Sequence, residues 1–223
     1  MSKVFPAATV VLIRDAAEGL ETLLLKRSKA LSFGADTWVF PGGKIDAVDY
    51  GDQFESVEVA ARRGAVREAL EETNLPIAEQ DMHYFSHWTT PEGFSKRFST
   101  WFFICEFGDH DRTVSVDGSE IVAHRWCTPT QALADHRAGL LSFMPPAFVT
   151  LTELLGCSTV ADALAMYRNR PVQQIHPKAV VTESGRIMLY PNDIAYQGGD
   201  YEQAGPRHRL SIEGGVWCYE CLP

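Results

Sequence analysis

Three carboxylates stand within five residues of one another in Arg67-Glu68-Ala69-Leu70-Glu71-Glu72. At ~100° per residue on a helix, Glu68, Glu71 and Glu72 share one face. Such a trio repels itself unless a cation is present, and hard oxygen ligands of this kind suit Mg²⁺ or Mn²⁺. Ala61, Gly64 and Ala65 fall on the same face and read as space cleared for an ion and its ligand. Val59, Val66, Leu70 and Thr73, with Ala69 at the edge, are expected to face the core. Arg67 is placed to pair with Glu71 at i+4 and so to orient it. A solvated acidic helix face would show the same spacing, but two neighbouring features favour a site. Asn74 follows the helix and tolerates a left-handed cap. Upstream, Phe40-Pro-Gly-Gly-Lys44 is a strand-to-loop turn whose glycines let backbone come close to a ligand.

These residues need a scaffold, and the rest of the chain supplies one. Apolar runs at Ala8 to Ile13 and Leu20 to Leu25, joined by a Gly-containing linker, predict a hairpin. Trp38 to Phe40 is a short strand, and a helix is expected from about Asp52 to Thr73. His83 to Trp88 and Phe98 to Phe107 read as two paired strands, and Ile121 to Trp126 as another. Thr128-Pro129 opens a helix running to about Arg137. Further helices are expected from Pro146 to Leu155 and from the cap Ser158 to about Asn169. Strand signals return at Lys178 to Thr182, Gly185 to Tyr190 and Leu210 to Tyr219. The sum is a mixed α/β protein of the α+β type rather than a doubly wound nucleotide fold.

Composition limits the partners. The chain has 20 Lys plus Arg against 29 Asp plus Glu, a net charge of −9, which argues against nucleic-acid binding. A bound metal ion can still reverse the sign locally for a small anionic substrate. Hydrophobic residues at 45% and charged ones at 22% exclude a disordered chain. No window reaches the ~18 apolar residues of a membrane helix and the start lacks a signal-peptide run, so a cytoplasmic protein without a membrane partner is expected. The five cysteines fit reduced thiols. Cys218-x-x-Cys221 reads as two small side chains near a strand end rather than a zinc or redox pair, because no second pair accompanies it.

With the motif in hand, the chain resembles a Nudix hydrolase. Arg67 to Leu75 matches the second half of the family box, with Asn74 where the family has Gly, and Gly43 matches its opening Gly. Gly43 and Arg67 are 24 positions apart, about ten more than in an uninterrupted box, so an insertion lies within Asp46 to Glu58. Glu55 and Glu58 are candidates for the middle Glu. The interruption is similar to a branch of the family that hydrolyses coenzyme A. His87-Trp-Thr-Thr-Pro91, Arg97 to Phe103, Glu120 and Arg125-Trp126 resemble the same branch, and Gly205 to Arg209 with Trp217 resembles bacterial relatives. Half of a coenzyme A motif is present, Leu23 to Ser28 followed by Phe40 to Gly43, with Ser32 and Asp36 replacing its second Arg and its Gly.

The resemblance implies a Nudix-like α/β/α sandwich with a mixed central sheet and a C-terminal helical and β extension. The expected division is a hydrolase domain over 1–175 and a β extension over 176–223 packed on it. Whether that tail completes the core sheet or packs separately is open. Glu68, Glu71 and Glu72, with the Gly43 carbonyl, are expected to hold Mg²⁺ or Mn²⁺. One of these acids or the loop residue Glu120 would take a proton from water, and Arg27, Lys44 and Arg67 would serve the substrate. Arg207 and Arg209 suit either an additional phosphate or a solvated basic turn. Phe85, Trp88, Trp101, Phe102 and Phe103 are expected to be core, with a base-stacking platform among them as the alternative. The expected activity is Mg²⁺-dependent cleavage of a diphosphate in a small nucleotide derivative such as coenzyme A or acyl-CoA, with a homodimer as a further expectation. The alternatives are ADP-ribose, dinucleotide or nucleoside triphosphate substrates, or a binding module without turnover.

Overall fold

The computed structural model describes residues 3–31, 33–51, 55–109 and 111–223. In chain order the elements are β1 (Val4–Ala16), β2 (Gly19–Arg27), β3 (Trp38–Val39), β4 (Gly42–Lys44), α1 (Val57–Thr73), β5 (His83–Thr89), β6 (Arg97–Glu106) and β7 (Ile121–Cys127). Then come α2 (Pro129–Arg137), α3 (Pro145–Leu154), α4 (Val160–Arg168), β8 (Gln173–Ile175), β9 (Lys178–Val181), β10 (Gly185–Leu189), β11 (Arg207–Glu213) and β12 (Val216–Leu222).

β1 organises the molecule. Val10, Val11, Leu12 and Ile13 are all fully buried, because the pleat sends alternate side chains into two cores. β1 pairs antiparallel with β2 and β4 but parallel with β6, so the expected mixed sheet is present. The eight-stranded sheet runs β3-β2-β1-β6-β5-β8, with β4 on β1 and β7 on β2. α1 covers the Val10–Leu12 face, while residues of α2, α3 and α4 fill the core on the Val11–Ile13 face.

The C-terminal residues form a second, four-stranded antiparallel sheet, β12-β11-β10-β9. It does not extend the first sheet. Met188, Tyr190 and Leu210 join the core that contains Trp88, Phe148 and Tyr167, whereas Ile187 and Leu189 form a small outer cluster with Ala195.

Three local expectations need correction. The run Leu210 to Tyr219 is two strands, because Gly214 and Gly215 take positive φ (55° and 85°) and close a tight hairpin. α4 is capped by Thr159, whose hydroxyl accepts from Asp162 N–H at 3.1 Å, rather than by Ser158. The helix-face reading of α1 also shifts. Ala60, Ala61, Ala65 and Ala69 face the sheet and Gly64 lies against Asp49, whereas Leu70 is 47% exposed. Small side chains here let the helix approach the strands closely instead of clearing space for an ion. α1 starts at Val57, capped by Ser56, and the predicted start at Asp52 lies outside the described residues. At its other end Asn74 takes the expected left-handed conformation, φ 59°.

Candidate active site

The turn after β3 meets α1 at two glycines. Gly42 and Gly43 pair with Thr9 and Ala8 of β1. A Cβ on Gly42 would strike the Ala8 carbonyl and Thr9, and one on Gly43 would collide with the Glu68 carboxylate. Gly42, which meets only backbone and Thr9, needs glycine, while the missing side chain at Gly43 lets a helix carboxylate rest directly against the backbone.

The rotation of α1 gives its three acids different surroundings. Glu72 is only 9% exposed, and its Oε2 accepts the Gly42 N–H at 2.9 Å. Burial, joined by the nearby charges of Glu68 and Glu120, pushes its carboxyl up to about 8, against the pull of Gly42 N–H and Arg27. Glu68 is also raised, mainly by burial and partly by Glu71 and Asp46, with Arg67 opposing. Glu71 is more exposed and bonds Arg67 Nη1 at 3.1 Å.

Arg67 is the organising cation. It donates to Asp49 Oδ1 at 3.0 Å and Oδ2 at 2.9 Å, Glu68 Oε1 at 3.0 Å, Glu71 Oε2 at 3.1 Å and the Lys44 carbonyl at 3.0 Å. These bonds, the one to Asp49 foremost, raise its own pKa despite burial. A guanidinium has five N–H donors, and all five are engaged. Asp49 was not singled out in the sequence. It lies in the insertion, is 3% exposed, and sits on a 3₁₀ turn (Ala47–Asp49) that delivers it to Arg67. Burial opposes its ionisation, but the Arg67 bonds and the Asp46 N–H outweigh that and lower its pKa. No periodicity marks such a residue; the surplus of acids within an insertion is the one signal available.

A cleft of about 860 Å³ opens over this turn. Of the expected site residues, Gly43, Glu68, Glu72, Arg27, Lys44 and Glu120 line it, whereas Arg67 and Glu71 are not among its lining. Arg27 Nε is buried without a hydrogen-bond partner, and Lys96 adds a further cation to the wall. Among the described residues, no three His, Cys, Asp or Glu side chains converge closely enough to hold a metal as placed. The donor set still fits a hard divalent ion. Glu68 and Glu72 are desolvated acids meeting at one backbone turn, and Glu72 has no ion-pair partner among the described residues.

The remaining candidates separate cleanly. Glu55 pairs with Arg63 and Glu58 with Arg62, and neither lines the cleft. Trp88 and Phe102 contribute to the cleft wall, Phe85 and Phe103 are core, and Trp101 packs edge-on against His87 at 4.2 Å. Arg209 is neither a phosphate ligand nor a solvated turn residue: it is buried and bonds both oxygens of Asp193, at 2.7 and 2.6 Å. Arg207 is half-buried on β11 and does not line the cleft. Cys218 and Cys221 are free and three positions apart on β12, so their side chains leave opposite faces of the strand. Asp36 sits at φ 58°, which explains why the resembled motif has Gly there; Ser32 lies outside the described residues. No helix among the described residues is long and apolar enough to cross a membrane.

The chain is similar to several known proteins. The acyl-coenzyme A diphosphatase NUDT19 of Xenopus laevis is 24% identical over an alignment covering 79% of this chain and 71% of that protein. Its human counterpart is 27% identical over 52% of this chain and 32% of its own length. The putative nudix hydrolase 7 of Caenorhabditis elegans is 24% identical over 85% of this chain and 74% of its own. Among solved structures, a NUDIX hydrolase from Alicyclobacillus acidocaldarius superposes with a TM-score of 0.65 at 24% identity, over 74% of this chain and 97% of that one. The NUDIX domain family model matches residues 4–146. That match spans more than half of the sequence and includes the glycine turn and the carboxylate helix, and the chain belongs to the Nudix hydrolase family.

Proposed function

We propose that this protein is a divalent-metal-dependent diphosphatase that hydrolyses coenzyme A or acyl-CoA to 3′,5′-ADP and the matching 4′-phosphopantetheine. The observation that carries the reading is the meeting of Glu68 and Glu72 at the Gly42–Gly43 turn, inside a cleft that also holds Arg27, Lys44 and Lys96. Two relatives named as acyl-coenzyme A diphosphatases support the substrate class.

Mg²⁺ or Mn²⁺, when bound, supplies Lewis acidity to the diphosphate oxygens. Glu68 and Glu72, with the Gly43 carbonyl, are the residues that would hold it, whereas Glu71, bonded to Arg67, stays outside the cleft lining. The chain's own groups do the rest. Arg27 and Lys44 bind phosphate oxygens and hold the diphosphate against the turn. Glu120, in the loop before β7 and near enough to Glu72 for its charge to be felt there, accepts the proton of the attacking water as its oxygen bonds phosphorus and the bridging P–O bond breaks. Arg67, with no N–H left to donate, positions Glu68 and Glu71 rather than binding substrate.

The test is a substrate panel with Mg²⁺ or Mn²⁺ read by mass spectrometry, containing CoA, octanoyl-CoA, ADP-ribose, a dinucleotide and a nucleoside triphosphate. The expected products are 3′,5′-ADP and phosphopantetheines, with turnover reduced about a hundredfold or more in Glu72→Gln. Preferred hydrolysis of another panel member would replace the substrate assignment. Binding without turnover would replace the enzyme reading with a binding module.

A further inference from the structure

The cleft lining is chemically mixed. Carboxylates and cations come from β2, β4, α1 and the loop before β7, and aromatic side chains such as Trp88, Phe98 and Phe102 from β5 and β6. The C-terminal sheet adds an apolar group of its own, Ala179, Met188, Ile212 and Trp217, with Pro177 just before β9 and Arg186 as its charged residue. The pleat explains why these side chains act together. Arg186 and Met188 are two apart on β10 and so share a face. Arg186 is paired with Ile212, Ile212 with Trp217, and Met188 with Ala179 across the ladder. The same face therefore presents every residue of β9 to β12 that lines the cleft. The opposite face of β10, Ile187 and Leu189, is closed by its own outer cluster. At the start of α3, Met144, Pro145 and Pro146 add further apolar side chains to the lining.

We propose that this inward face of the C-terminal sheet is the subsite for the apolar arm of the substrate, the acyl group of an acyl thioester whose diphosphate lies against the Gly42–Gly43 turn. The proposal rests on the diphosphatase reading for its chemistry, and the sheet face adds the substrate preference. A cleft lined both by charged groups and by an apolar sheet face matches a ligand that carries a diphosphate and an apolar arm. Ala179 is exposed on the edge strand, so a larger side chain there enters the cleft without entering the core. Each methylene removed from water contributes ~0.8 kcal/mol, so losing contact with about two of them changes affinity roughly tenfold.

The experiment compares octanoyl-CoA with free CoA in wild type, Ala179→Phe and Ile212→Ala, after thermal melts show that each variant is folded. In wild type kcat/KM favours octanoyl-CoA, and Ala179→Phe lowers the octanoyl-CoA to CoA ratio about tenfold while leaving CoA hydrolysis unchanged. Ile212→Ala lowers the same ratio by removing contact area instead of blocking space. An equal ratio in all three proteins overturns the subsite while leaving the diphosphatase reading intact. If neither compound is hydrolysed, the diphosphatase reading fails, and the subsite is judged by calorimetric binding of the two compounds in EDTA. Tighter binding of octanoyl-CoA that weakens in Ala179→Phe upholds the subsite, and equal affinities overturn it.

Discussion

Glu72 carries the strongest electrostatic conflict in the site. Its carboxyl is held up to about 8 by burial, whereas an unperturbed Glu titrates near 4.5. Between those values the folded metal-free protein keeps a proton that the unfolded chain has released, so stability falls as pH rises through that window. Asp49 has the opposite sign. Its depressed pKa contributes stability above the unfolded value, and that contribution is lost as pH falls through the folded one. The expected outcome in EDTA is that wild type loses stability relative to Glu72→Gln between pH 5 and pH 8, by a few kcal/mol at ~1.4 kcal/mol per unit. Excess Mg²⁺ should close the gap. Melting temperatures measured at both pH values check this, and parallel profiles for the two proteins would remove burial as the cause. At this scale the sequence showed the three acids clearly, because helical spacing places them together. It could not show that Glu72 faces inward and Glu71 outward, since that depends on which side of α1 meets the sheet.

Among the elements, α1 shows how a short-range pattern can be read correctly for position and wrongly for orientation. Its C-terminal limit at Thr73 and its left-handed end at Asn74 follow from local rules. Its buried face does not, because Ala61, Ala65 and Ala69 gain by close approach to β-strands that lie far away in the chain. The cap provides a clean test. Asn74→Gly removes the residual strain of a side chain at φ 59° and should stabilise by about 0.5 kcal/mol, a gain of about 1–2 °C in melting temperature. Asn74→Val should destabilise by roughly 1–2 kcal/mol, since a branched side chain resists the left-handed region. Thermal melts of the pair check both signs. β8 is an element that no local signal announced: three residues become a strand because they pair in parallel with β5.

For the whole molecule, the decisive relation is between the two sheets. Tyr190 packs edge-on against Trp88 at 5.3 Å, and Trp217 contacts Phe148 at 5.2 Å, so the C-terminal sheet is part of the main core as well as a wall of the cleft. A chain ending at residue 176 should therefore expose this apolar surface, bind a hydrophobic dye strongly and lose its cooperative melting transition. A truncated protein that still melts cooperatively near the wild-type temperature would show the two sheets to be energetically separate. The sequence by itself determined the mixed α+β class, most strands and helices, the carboxylate trio and the glycine turn, all of which depend on residues close together in the chain. Tertiary structure alone decided which acid is buried, that Asp49 completes the Arg67 network, that Arg209 is locked onto Asp193, and that β9 to β12 face the site. Those outcomes depend on contacts between distant segments, whose burial and pairing energies leave no periodic trace in either segment alone.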